Sequence, residues 1–77
     1  MSIMSARLQG LDPSLYFVTD TVLCARAGRS VALTAAGAVR GGAGIVQIRD
    51  KHIDDAAFYR LSLAVLRAVR AAASRRV

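Results

Sequence analysis

The stretch Ala43-Gly44-Ile45-Val46, closed by Gln47-Ile48-Arg49-Asp50-Lys51, constrains this chain more than any other. Four small or apolar residues in a row, opened by glycines and ended by charge, read as a buried strand. Helical spacing lies on both sides of it. Upstream, Val31, Ala35, Ala38 and Val39 share one face of a helix over about 31–40, with Leu33 off that face. Downstream, Phe58, Leu61, Val65 and Val69 recur at helical intervals, while Arg60, Arg67 and Arg70 fall largely elsewhere on the wheel. A further strand, about 15–20, precedes them in Leu15-Tyr16-Phe17-Val18-Thr19-Asp20. The order βαβα predicts an α/β fold with parallel strands.

Local signals sharpen the boundaries. Asp12-Pro13-Ser14 reads as a turn into the first strand, and residues 1–14 as a flexible N-terminal arm. The stretch from Thr19 to Gly28 has no clear periodicity and reads as a loop. Ser30 suits the N-cap of the first helix. Gly37 weakens that helix, and Gly41-Gly42 ends it. Asp54 or Asp55 suits the cap of the second helix. Gly41-Gly42-Ala43-Gly44 superficially resembles a phosphate cradle, but cradles follow a strand and open a helix. This cluster follows a helix and opens a strand, so it reads as a tight turn.

Side chains alternate along a strand, so Gln47, Arg49 and Lys51 share one face while Ile48 and Asp50 share the other. An amide and two cations thus converge where the strand ends. Arg can grip pyrophosphate oxygens through its planar fork and Lys as a point charge. Gln offers one acceptor and two donors, enough to read the edge of a nitrogen heterocycle. Taken alone, the same pattern also fits an ordinary strand end with solvated charges.

The surrounding residues add a family resemblance. Leu15-Tyr16-Phe17-Val18-Thr19-Asp20, then Gly28-Arg29, then Gly41-Gly42 and Val46-Gln47-Ile48-Arg49-Asp50-Lys51 resemble, in order and spacing, the start of thiamine-phosphate synthase. The resemblance is sharpest over 41–51 and covers roughly half of the chain. It implies a (β/α)8 TIM barrel of which residues 15–77 would form the first two βα units. It implies an enzyme, a transferase that condenses hydroxymethylpyrimidine pyrophosphate with thiazole phosphate and releases pyrophosphate in thiamine biosynthesis. By position, Gln47 would contact the pyrimidine, Arg49 and Lys51 the pyrophosphate, and the backbone or flanks of Ile48 and Asp50 would complete the segment. The family also uses Mg2+, with Asp ligands after later strands, beyond Val77. A barrel needs typically ~250 residues and this chain has 77, so the isolated fragment is expected to be inactive. A thiazole tautomerase-like relative and a non-catalytic basic remnant are the alternatives. Two cations fit the synthase better, since a pyrophosphate needs them.

Composition excludes other classes. Eleven Lys and Arg against five acids give +6, which raises nucleic-acid binding. The cations are scattered, however, without aromatic interleaving, helix-turn-helix spacing or zinc ligands. The C-terminal cluster Arg67, Arg70, Arg75 and Arg76 suits a solvated helix end. No run is apolar and long enough for a membrane span, and residues 1–10 lack the apolar core of a signal peptide. The lone Cys24 cannot form an internal disulfide, so a cytoplasmic setting is expected. Cys24 reads as a spectator, since no Cys/His pairing is visible. Asp20 reads as structural, and His52 is assigned no role. Two strands with open edges predict self-association.

Overall fold

The computed structural model describes residues 2–26, 28, 30–51 and 53–76. Six elements follow in order: β1 (Ser2–Arg7), β2 (Asp12–Asp20), α1 (Thr21–Arg26), α2 (Val31–Arg40), β3 (Ala43–Asp50) and α3 (Asp55–Arg76). The sheet order is β1-β3-β2. β2 and β3 run parallel, with Phe17 opposite Val46 and Thr19 opposite Ile48. The expected parallel pair is therefore present.

Three expectations need correction. The sheet is mixed rather than purely parallel, because β1 pairs antiparallel with β3 from Ser2↔Asp50 to Arg7↔Ile45. The stretch 1–14, read as a flexible arm, accordingly contains β1 and the beginning of β2. The backbone amide of Leu8 extends the pairing by donating to the Gly44 carbonyl at 2.8 Å. Met4 packs against the core and Ala6 lies within it, which supplies the burial that orders the strand. The stretch after Asp20 also differs from a loop: it forms α1. Cys24 lies buried there, its Sγ 3.5 Å from Thr19 Oγ1.

Alternation along the strands divides the sheet into two faces. Val46 and Ile48 point into a core built with Ala35, Ala36 and Val39 of α2 and Phe58, Val65 and Val69 of α3. Ile48, Val39, Val46, Val65 and Val69 are its largest fully buried side chains. Alanine completes much of the interface, so the helices approach closely with little side-chain volume between them. The opposite face carries Ile3, Ser5, Arg7, Tyr16, Val18, Asp20, Ile45, Gln47 and Arg49, none of which is buried. Leu33 is 69% exposed, as its position off the apolar stripe requires.

The caps match their sequence signals. Ser30 Oγ accepts from the Leu33 amide at 3.0 Å, and Asp54 Oδ1 accepts from the Ala57 amide at 2.8 Å, satisfying donors that each helix start would leave unpaired. α2 closes through Gly42, at φ 111°, a conformation that favours glycine.

Entry to β2 is irregular, with a register shift between Asp12 and Tyr16. Asp12 Oδ1 accepts from both the hydroxyl and the amide of Ser14, at 2.7 and 2.9 Å. These bonds, the hydroxyl's first, favour the carboxylate and hold the Asp12 pKa below its ordinary value. The chain at this point passes against Gly44, where an added Cβ would stand 2.3 Å from the Asp12 carbonyl oxygen. Backbone must move to admit it. Gly44→Ala is therefore expected to destabilise the fold by about 1–3 kcal/mol, as forced overpacking does. Chemical denaturation checks this; an unchanged midpoint would show that β2 does not enter the sheet across Gly44.

Candidate functional site

Where β3 ends, its alternation splits the sequence-derived set Gln47, Ile48, Arg49, Asp50 and Lys51 into two groups. Gln47 and Arg49 stand on the open face. Ile48, fully buried, belongs to the core. Asp50 lies on the helix-facing side and is 9% exposed. Lys51 follows the last strand residue and is exposed. Gln47 and Arg49 thus remain accessible together and Lys51 is exposed just past the strand, while the side chains of Ile48 and Asp50 are directed elsewhere and can contribute only backbone to a ligand on the open face. His52 lies outside the described residues.

The open-face residues form a connected chain. Arg49 Nε donates to Gln47 Oε1 at 2.9 Å. Gln47 Nε2 donates to Ser5 Oγ at 2.9 Å and to Tyr16 Oη at 2.8 Å. The strands fix these partners: Ser5 and Val18 are both in register with Gln47, and Tyr16 is beside them opposite Ile45. Asp20 is in register with Arg49, at the end of β2. The site therefore sits at the carboxyl ends of two parallel strands.

Asp50 has a different task. It accepts from the Thr21 hydroxyl at the start of α1, and its Oδ1 accepts from the Ile53 amide at 2.7 Å. One buried carboxylate thereby ties α1 to the end of β3 and folds back the segment that carries Lys51. Sequence reading missed Thr21, Ser5 and Tyr16. Period-two alternation does put Tyr16 with Val18 and Asp20, but which face meets Gln47 depends on inter-strand register. Ser5 carried no readable signal, because exposed Ile3 breaks the apolar alternation of β1.

Other features contribute less. Among the described residues no group of three or more His, Cys, Asp or Glu could hold a metal ion, and no helix is long and apolar enough to cross a membrane. A cleft of about 470 Å3 opens at the opposite end of the sheet, lined by Arg7, Leu8, Gln9, Arg70, Ala73 and Ser74. It is remote from Lys51.

These features define an α/β layer that presents an amide and two cations at the carboxyl ends of parallel strands, a site class suited to an anionic ligand. The family described as "Thiamine monophosphate synthase" matches residues 15–76, and the chain belongs to it. A thiamine-phosphate synthase of Psychrobacter sp. (strain PRwf-1) is 50% identical over 46 residues, which cover 60% of this chain and 21% of the relative. The chain thus matches about a fifth of that relative's length. No solved structure matches it.

The split between faces gives a prediction. Asp50→Ala should lower stability by about 1–3 kcal/mol, since it orphans part-buried donors. Arg49→Ala, on the exposed side, should change stability by less than about 0.5 kcal/mol. Urea denaturation compares the two, and equal effects would contradict the assignment of Asp50 to the fold and Arg49 to the surface.

Proposed function

We propose that this chain carries the pyrimidine-pyrophosphate half-site of a thiamine-phosphate synthase. The full reaction would condense hydroxymethylpyrimidine pyrophosphate with thiazole phosphate, giving thiamine phosphate and pyrophosphate. The observation that carries this reading is Arg49 bonded to Gln47 on the open face of β3, with the exposed Lys51 directly after the strand, in a chain of this family. Arg49 and Lys51 would hold the pyrophosphate. As the C–O bond to it breaks, the bonding pair passes to the departing oxygen and negative charge grows there. Fixed cations stabilise that state more than the ground state. Gln47 would meet the pyrimidine through Oε1, whose second lone pair remains for a donor on the heterocycle.

Mg2+ is the cofactor that the family resemblance implies. The described residues supply no cluster to hold it, and no step here runs through it. Neither do they present an evident thiazole-phosphate site, so the chain by itself is expected to bind the pyrimidine pyrophosphate without turning it over. Completion would require further βα units to close a barrel around the open face. The outer edges of β1 and β2 are the places where self-association would occur, since β1 covers the edge of β3. The two adjacent cations favour the synthase over a tautomerase-like relative. Small-molecule substrates in a cytoplasmic setting complete the proposal, with no nucleic-acid partner.

Calorimetric titration with the pyrimidine pyrophosphate tests this. Arg49→Ala and Lys51→Ala should each weaken binding about ten- to a hundredfold, the worth of a charged hydrogen bond. Duplex DNA at physiological salt should not compete. Binding that is indifferent to both substitutions, or displaced by DNA, would overturn the proposal.

A further inference from the structure

The hydrogen bonds around Gln47 point beyond simple ligand contact. Arg49 Nε can only donate, so the amide atom facing it must be the oxygen. That fixes the orientation of the whole carboxamide. Its nitrogen then faces Ser5 Oγ and Tyr16 Oη, at 2.9 and 2.8 Å. An amide NH2 has two protons, and both are used. Gln47 is therefore held from one end by two hydroxyls and holds Arg49 from the other, at 2.9 Å.

From this we infer that Tyr16 and Ser5 are positioning residues for the anion-binding Arg49, acting through Gln47. This inference rests on the half-site proposed above. The physical reason is entropic. An exposed arginine has up to about 2 kcal/mol of rotamer freedom to lose on binding. An acceptor already bonded to Nε orders the guanidinium before the anion arrives and does not use its two terminal NH2 groups. The acceptor itself is ordered only because both of its own protons are engaged. Tyr16 contributes most. Its ring stands on β2, in register with Ile45, so the hydroxyl comes from a rigid stem across a parallel strand pair. Ser5 comes from β1, on the opposite side of β3. The two flanking strands therefore converge on one amide, and loss of either hydroxyl frees one amide proton and lets the carboxamide rotate. Tyr16 and Ser5 also keep their own O–H protons, which remain free to donate to a ligand on the same face.

The test uses inorganic pyrophosphate and the 77-residue chain. Tyr16→Phe keeps the ring and removes only the hydroxyl of a half-exposed residue, so the melting temperature should be unchanged. Pyrophosphate binding should weaken about three- to tenfold, the worth of one neutral hydrogen bond. Ser5→Ala should act in the same direction. The discriminating readout is the double substitution: in an Arg49→Ala background, Tyr16→Phe should have no further effect, because the relay has lost its end. A merely structural or direct-contact role would give additive losses and would overturn the inference, as would unchanged affinity in Tyr16→Phe and Ser5→Ala. Arg49→Ala without effect on pyrophosphate binding, or no saturable binding by the parent chain, would overturn the half-site proposal and this inference together. A loss confined to Arg49→Ala would overturn this inference alone.

Discussion

Everything in this chain depends on the register of β3 between its two neighbours. From Ile45 onward, even-numbered residues of β3 face the helices and odd-numbered ones face outward. Val46 and Ile48 are fully buried, so a slip by one residue would exchange them for Gln47 and Arg49. Burying an amide and a guanidinium without partners would cost several kcal/mol, which no other contact in so small a core can offset. The core thus enforces the site: Gln47 and Arg49 stand outside because Val46 and Ile48 must stand inside.

A single carboxylate joins the two layers. Asp50 is the last core-facing residue of β3 and receives the Thr21 hydroxyl and the Ile53 amide. It thereby connects the start of α1, the end of β3 and the turn that leads to α3. The charged segment Arg49-Asp50-Lys51 divides between surface and fold, since its cations are exposed and its acid is spent on internal bonds. Asp and Lys in one short motif need not act on the same molecule.

Much of this was legible in the sequence because it depends on local chemistry. Ser30 and Asp54 had the form of caps, and both accept the amide three residues on. Gly41-Gly42 had the form of a stop, and Gly42 adopts the positive φ. Period-two alternation separated Gln47 and Arg49 from Ile48 and Asp50 correctly. What escaped was set by distant contacts. β1 has weak alternation of its own and becomes a strand because the free edge of β3 offers backbone partners. α1 is six residues long, too short to show periodicity. Tyr16 and Ser5 reach Gln47 through inter-strand register, which no local pattern encodes. Family membership follows from residues 15–76, while β1 lies outside that match, which is why the mixed sheet was not anticipated.

The central claim is that β3 is an interior strand, flanked on both sides, with Gln47 held between its neighbours. Nuclear Overhauser contacts in the 77-residue chain test this most directly. The account predicts backbone cross-peaks from the Gln47 region to Ser5 on one side and Val18 on the other, with slow amide exchange along the β1–β3 ladder. Cross-peaks to Val18 alone, with the amides of 2–7 exchanging as in a free chain, would contradict it.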